Sequence, residues 1–379
     1  MIPFNKVFLS GSELNYISEA VSSGKLSGDG QFTRKVHSWF KEKYGFQKVL
    51  LTSSCTDALE MCAMAIDIKP GDEVIVPDYT FVSTANAFSN YGAQIVFADS
   101  RVDHPGIDEN SIEKLITSNT KAIVVVHYAG VAVDMKKVQF LANKYNLFLI
   151  EDAAQAIDSH YYDGKKRQPL GSFGDFATFS FHDTKNIISG EGGLLVVNNT
   201  KYVDKTDIIW EKGTNRKAFF DGMVDKYGWV SKGSSFLASE ITAAFLYAQL
   251  ENIDFIQNKR LEIWNKYFRK LGALGSEILP YLPNYAENNA HMFYIKTRSA
   301  VERSELINVL KSNGVTAVFH YLPLHQSKFV QYQGWNIKND LSNSIRFAST
   351  LLRLPMYVEL GELEIEKICD LIIKFYQDK

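Results

Sequence analysis

The chain has 379 residues, 46 % of them apolar, which is enough for two domains and a sizeable core. Its 41 basic and 43 acidic side chains leave a net charge of −2, so it carries no general footprint for nucleic acid or an anionic membrane. Cys55, Cys62 and Cys369 follow no metal or disulfide spacing, the longest apolar runs are strand-length, and the opening MIPFNKVFLSGSEL lacks the basic and apolar regions of a signal peptide; a cytoplasmic protein that does not enter membranes is therefore expected.

Residues 11–22 and 33–44 carry helical periodicity on either side of a glycine-rich loop, SSGKLSGDGQ. Strands and helices then alternate. KVLLT reads as a strand, CTDALEMCAMAI as a helix, DEVIVP as a strand and TFVSTANAFSNYG as a short helix. AQIVFAD is a strand, DENSIEKLI a helix, KAIVVVHYAG a strand, DMKKVQFLANKYN a helix and LFLIEDAA a strand. Short, continuous apolar runs between helices are the pattern of parallel strands covered on both faces. FATFSFH and GGLLVVN add two strands close enough to pair. The stretch ASEITAAFLYAQLENIDFIQNKRLEIWNKYFRKL reads as one unbroken helix into Gly272. Beyond it, strands HMFYIKT and VTAVFHYL mix with helices over 303–312 and 361–376. The fold class expected is α/β, a doubly wound and mostly parallel sheet over residues 1–251 with a small α+β domain over 252–379.

Three features along this frame carry chemistry. SSCTDAL, residues 53–59, sits at a strand-to-helix junction, where free N–H groups, the helix dipole and three hydroxyls suit a phosphate. LFLIEDAAQA ends a central strand with Glu151, Asp152 and Gln155, at the edge where ligands of parallel sheets sit. A carboxylate there is costly unless paired, and a protonated heterocyclic nitrogen is one suitable partner. FSFHDTKNIISGEGG places a single lysine, Lys185, at a strand exit before a glycine-rich loop. Taken singly, each has a plain reading: an ordinary capped helix, a helix N-cap, a solvated lysine. Together they match the needs of pyridoxal phosphate, which requires a Schiff-base lysine, a carboxylate for its ring nitrogen and a phosphate cup. Phe81, in PDYTFVSTANA, stands where it could cover the ring. His320 and His325 have no accompanying ligands, so no metal is expected, and no strand-borne GxGxxG points to a dinucleotide enzyme.

The set SSCTDAL, PDYTFVSTANAF, IEDAAQA, FSFHDTKN and GEGG resembles the DegT/StrS-type sugar-nucleotide aminotransferases, over essentially the whole chain. The resemblance implies fold type I, the aspartate aminotransferase fold, and a homodimer with active sites at the subunit interface. SGKLSGDGQFTR, VHYAGVAVDM, EKGTNR, VDKYGW, NAHMFYIK, FHYLPLH and LLRLP are similar to the branch that aminates C4 of a dTDP-linked 4-keto-6-deoxy sugar, with L-glutamate as donor, for surface glycans. It implies that Lys185 bonds the cofactor aldehyde and that Asp152 pairs with the ring nitrogen. Gln155 would contact the 3-oxygen region, Phe81 would stack on the ring, and Cys55, Thr56 and Ser180 would hold the phosphate. Much of the family carries G-x-N-x-R where this chain reads GSSFLAS, so Ser235 stands where an asparagine reaches the neighbouring subunit's phosphate; Cys55 likewise replaces a glycine of the phosphate turn. Lys25, Arg216, His320, Tyr321 and His325 are the implied sugar-nucleotide contacts. Left open are the gluco epimer, C3 chemistry, and a dehydratase of the same family, although dehydratases carry histidine at the position of Lys185.

Overall fold

The computed structural model describes residues 1–220, 222–335, 337 and 339–379. Its strands in chain order are β1 (Lys48–Thr52), β2 (Glu73–Pro77), β3 (Gln94–Ala98), β4 (Thr120–Val126), β5 (Phe148–Asp152), β6 (His160–Tyr162), β7 (Arg167–Pro169), β8 (Phe176–Ser180), β9 (Gly193–Val197), β10 (Ala286–Glu287), β11 (Phe293–Lys296) and β12 (Leu351–Leu354). Seven of them form one sheet in the order β1-β9-β8-β5-β4-β2-β3. The pairs β3–β2, β2–β4, β4–β5 and β5–β8 are parallel, whereas β9 runs antiparallel to both β8 and β1. The α/β class and the mostly parallel sheet therefore stand.

The unbroken apolar runs are explained by burial on both faces. Along β4, Ile123 and Val125 belong to a core with Phe32, Phe40 and Leu141, while Ala122 and Val124 point into another with Leu59, Cys62 and Phe88. A further apolar cluster joins Trp264, Tyr267, Leu306, Ile368 and Ile372 to the β11–β12 pair, and Ile2 from the start of the chain packs into it. Among the described residues no helix is long and apolar enough to cross a membrane.

The sequence reading departs from the structure in a few places. The expected continuous helix is two, Glu240–Glu251 and Ile253–Lys270, parted at Asn252. The Asn252 side chain donates back to the Ala248 carbonyl at 3.0 Å while its own N–H bonds Gln249, so the local bonds compete with the helical ladder. VTAVFHYL forms no ladder; it meets β12 through a bridge between Val318 and Arg353 and through a bond from the Arg353 guanidinium to the Phe319 carbonyl at 3.2 Å. KAIVVVHYAG leaves the strand at Val126, and a 3-10 turn follows at Tyr128–Gly130. DENSIEKLI yields only the turn Ile112–Leu115. The β6–β7 hairpin, closed by Gly164 at φ 88°, was not anticipated.

The topology gathers one edge. Val126 lies beside Asp152, Asp152 beside Thr178, and Gly193 opposite both Thr52 and Ser180. The carboxyl ends of β1, β4, β5 and β8 and the start of β9 thus meet there, where open parallel sheets place their ligands. Successive residues of β5 face opposite sides of the sheet, which separates Glu151 from Asp152. Glu151 is fully buried and accepts N–H bonds from Gly171 (2.8 Å), Phe173 (2.7 Å) and Gly174 (2.7 Å), with His127 Nε2 donating at 2.9 Å. It clamps the turn that leads into β8. Glu151→Gln places amide hydrogens against those donors; it is expected to cost about 3 kcal/mol or more of stability, read from the urea midpoint. An unchanged midpoint would remove Glu151 from this role.

Candidate active site

At the gathered edge lies a cavity of about 620 Å³, lined on one side by residues 54–56 and on the other by His291, His320 and Arg353. Its floor begins where β1 turns into helix Cys55–Ala65. Ser54 is the N-cap in extended backbone, and its hydroxyl accepts the Asp57 N–H at 3.0 Å. The N–H groups of Cys55 and Thr56 have no acceptor among the described residues, so the turn offers unpaired donors at the positive end of a helix dipole. Thr56 Oγ1 pairs with Ser83 Oγ at 2.8 Å, and the Ser180 hydroxyl lines the same cavity. Gly193 packs against this turn: a Cβ on it would lie 2.3 Å from the Ser54 carbonyl and 2.4 Å from the Cys55 nitrogen. The second half of GEGG is therefore set by close approach of two backbones.

Asp152 ends β5 at 5 % exposure. Thr84 Oγ1 donates to its Oδ2 at 2.7 Å and the Ala154 N–H to its Oδ1 at 3.1 Å. Because Thr84 gives its proton to a carboxylate, the 2.9 Å contact with Thr80 must be donated by Thr80. Burial pushes the Asp152 carboxyl up, against the bonds from Thr84 and Ala154 and the nearby Lys185. All of its hydrogen-bond partners among the described residues are neutral, so the carboxylate is held without a bonded cation.

Lys185 lies in the turn after β8, its N–H bonded to the His182 carbonyl at 2.9 Å. Its side chain lines the cavity, and Nζ makes no hydrogen bond among the described residues. Burial pushes its ammonium down, against the pull of Cys55 and Asp152. Phe81 caps helix Val82–Ser89 with its ring 54 % exposed, 6.0 Å from Tyr321. Gln155 lines the wall with both ends engaged: its Oε1 accepts the Ala129 N–H at 2.6 Å, and its Nε2 donates to the Tyr321 hydroxyl at 2.9 Å. Tyr321 stacks on His320 at 3.6 Å, and His320 Nδ1 lies 2.6 Å from the Tyr128 hydroxyl.

The structure thus brings together Cys55, Thr56, Phe81, Asp152, Gln155, Ser180, Lys185, His320 and Tyr321. The other four expected residues lie elsewhere in this chain. His325 does not line the cavity: its Nδ1 sits 2.7 Å from Asp78 Oδ2 and its N–H donates to Oδ1 at 2.8 Å, which ties residues 323–326 to the end of β2. Lys25 and Arg216 line a separate cleft of about 380 Å³ together with Lys48, Asp207 and Glu211. There Lys25 Nζ donates to the Asp29 carbonyl at 2.6 Å, and Arg216 pairs with Glu211 at 3.3 Å. Ser235 is exposed, bridged to Glu211 beside that second cleft. Sequence reasoning counted Ser54 among the hydroxyls of the turn but missed Ser83 and Thr84, though both lie within the quoted helix motif. It also gave no role to Arg353 and His291, although both lie within motifs quoted for the resemblance, LLRLP and NAHMFYIK.

A phosphorylated, ring-bearing aldehyde with a basic nitrogen fits these residues. The unpaired N–H groups and hydroxyls suit a phosphate, Asp152 lacks a bonded cation, and Lys185 is an unbonded amine in the same cavity. The chain matches the model of the DegT/DnrJ/EryC1/StrS aminotransferase family over residues 9–373. It is 33 % identical to GDP-perosamine synthase of Escherichia coli O157:H7 over 386 aligned positions, covering 100 % of this chain and 99 % of that protein. It is 30 % identical to the spore coat polysaccharide biosynthesis protein SpsC of Bacillus subtilis (strain 168), over 98 % of this chain and 96 % of the relative. The solved aminotransferase from Psychrobacter cryohalolentis superposes with a TM-score of 0.91 at 26 % identity, over 99 % of each chain. The chain belongs to the DegT/DnrJ/EryC1/StrS aminotransferase family, is a sugar aminotransferase, and depends on pyridoxal phosphate.

The contact between Gly193 and the phosphate turn generates a prediction. Gly193→Ala should force residues 54–55 to shift and weaken cofactor retention by roughly tenfold or more, equivalent to about 1.4 kcal/mol, in dialysis followed by absorbance. Retention equal to wild type would show that the turn does not hold the phosphate.

Proposed function

We propose that this sugar aminotransferase moves the amino group of L-glutamate to C4 of dTDP-4-dehydro-6-deoxy-D-glucose, giving dTDP-4-amino-4,6-dideoxy-D-galactose for surface-glycan synthesis. The observation that carries the transaminase reading is the meeting of Lys185 and Asp152 in one cavity beside the hydroxyl-lined turn. The sugar assignment is supported by the motifs VHYAGVAVDM, NAHMFYIK, FHYLPLH and LLRLP. The name of GDP-perosamine synthase favours a GDP-linked acceptor as the second reading.

When bound, pyridoxal phosphate supplies an aldehyde that carries the amino group and a protonated ring that withdraws electrons from the reacting carbon. Cys55, Thr56, Ser180 and the neighbouring Ser54 and Ser83 would hold its phosphate. Asp152, braced by Thr84 and Thr80, would keep the ring nitrogen protonated. Phe81 would cover one face of the ring. Lys185 would hold the aldehyde and would take up and return a proton as general base and then acid, a task suited to an amine whose pKa burial has lowered. Arg353 is the guanidinium in the cavity wall and is assigned the donor's carboxylate. Gln155, His320 and Tyr321 form the wall facing the sugar. Lys25, Arg216 and Ser235 would act from a second copy of the chain, across the interface of a homodimer.

Borohydride should fix the cofactor to Lys185 alone by peptide mapping, and Lys185→Ala should abolish both the link and turnover; fixation to another lysine would refute the assignment. Asp152→Asn should lower turnover at least a thousandfold, about 4 kcal/mol, with the fold retained. The sugar is tested by incubating the enzyme and glutamate with the dTDP-linked 4-keto sugar and, separately, with its GDP-linked counterpart, followed by NMR. A C4 axial amine on the dTDP product is expected. Turnover confined to the GDP sugar, an equatorial amine, amination at C3 or loss of a hydroxyl would each overturn the stated product.

A further inference from the structure

Residues 2–5 pass beside the active-site cavity, with Ile2 buried, Pro3 exposed and Phe4 half-buried. The segment is pinned at three places. Ile2 bridges Val315 in parallel; its N–H donates to the Gly314 carbonyl at 2.7 Å, and its carbonyl accepts from Thr316 at 3.0 Å. The Phe4 carbonyl accepts the Met356 N–H at 3.2 Å, just past β12. Asn5 Nδ2 donates to the Asp183 carbonyl at 3.2 Å, in the turn that carries Lys185. Phe4, Asn5 and Met356 all line the cavity. One short segment thus ties residues 314–316 and the end of β12 to the lysine turn.

What the segment presents to the cavity wall is an aromatic face. The Arg353 guanidinium carbon lies over the Phe4 ring, 4.7 Å from its centroid. Arg353 has few other partners. Its Nη2 donates to the Phe319 carbonyl at 3.2 Å, its Nε is buried with no acceptor, and its Nη1 has no bond among the described residues. No carboxylate pairs with it among the described residues; the groups that pull on its charge are the tyrosines Tyr128, Tyr321 and Tyr79. A guanidinium stays charged, so half-burying it without a counter-ion costs free energy that an aromatic face partly offsets. The face contact also fixes the plane of the group and leaves Nη1 uncommitted, and carboxylates are gripped in that plane. A carboxylate at position 4 would neutralise Arg353 and compete with an anionic ligand; a phenyl ring orients the charge and leaves it available.

We infer that Phe4 is a positioning residue for the amino donor: its ring holds the Arg353 guanidinium in the plane from which it meets the donor's carboxylate. The inference rests on the reading of Arg353 as that carboxylate's partner.

The probe is glutarate, which has the two carboxylates of glutamate without the amine and so cannot react. Its binding to the holoenzyme is read by calorimetry, beside KM for L-glutamate and for the sugar nucleotide the enzyme aminates. Phe4→Leu keeps an apolar side chain and removes the ring face; it should weaken glutarate roughly tenfold and raise the glutamate KM by a like factor. The sugar-nucleotide KM should stay within about twofold of wild type. Phe4→Tyr restores a ring face and should restore both donor constants. Fluorinated phenylalanines at position 4 nearly keep the shape and drain the face of charge, so glutarate should weaken with each added fluorine. That series decides the matter should Phe4→Leu fail to fold. Unchanged glutarate binding in folded Phe4→Leu, an equal loss in Phe4→Tyr, a parallel rise in the sugar-nucleotide KM or a flat response to fluorine overturns the inference. Arg353→Gln separates it from the reading beneath it. Loss of glutarate there with none in Phe4→Leu overturns the role of Phe4 alone, whereas wild-type affinity in Arg353→Gln overturns the donor assignment and the inference with it.

Discussion

A carboxylate buried at the carboxyl end of a central parallel strand, with only neutral donors bonded to it, is the constraint on which the rest of this site depends. Ionised and unpaired, Asp152 would destabilise the fold. The protein keeps it ready by spending two threonines in series, Thr80 donating to Thr84 and Thr84 to Oδ2. That arrangement orients the carboxylate without neutralising it. A group that brings a proton-bearing ring nitrogen to this point supplies the missing charge, and the same burial that penalises Asp152 alone strengthens the pair once made.

The sheet topology turns this local fact into a site. Parallel strands bring β4, β5 and β8 out at one edge, and the antiparallel β9 returns its first residue to that edge, so the lysine turn after β8 and the phosphate turn after β1 close on the same cavity. Residues adjacent in sequence then divide the work by the pleat alone. Glu151 faces inward and ties the turn before β8, while Asp152 faces the cavity. On the lysine turn, Lys185 reaches into the cavity while Asn186 turns to Gln257, Asn289 and His291. Internal bonding and the lining of the cavity are carried by neighbouring residues whose side chains point apart.

Much of this was legible in the sequence because it is local. Apolar runs between helices announced the parallel sheet, and Lys185, Asp152 and the turn at 53–59 each sit at the end of a readable strand. What was hidden depends on contacts between distant segments. Arg353 reaches the cavity only because β12 pairs with β11, and the His291 ring is held by Asn186, 105 positions away. His325 looked like a ligand-binding histidine, yet its ring is spent on Asp78, 247 positions away. The break at Asn252 was missed because asparagine halts a helix only when its side chain turns back on the preceding turn, which periodicity does not report. Lys25, Arg216 and Ser235 stand apart from Lys185 within one chain, and a reading of one chain cannot bring them to it.

The account turns on the pairing of Asp152 with a ring nitrogen. Its most direct measurement is the nitrogen NMR signal of the enzyme reconstituted with pyridoxal phosphate labelled with ¹⁵N in the ring, recorded across pH for wild type and Asp152→Ala. The account predicts a protonated ring nitrogen in the wild type well into the alkaline range and loss of that proton near neutral pH in the variant. A ring nitrogen that titrates identically in both proteins would contradict it.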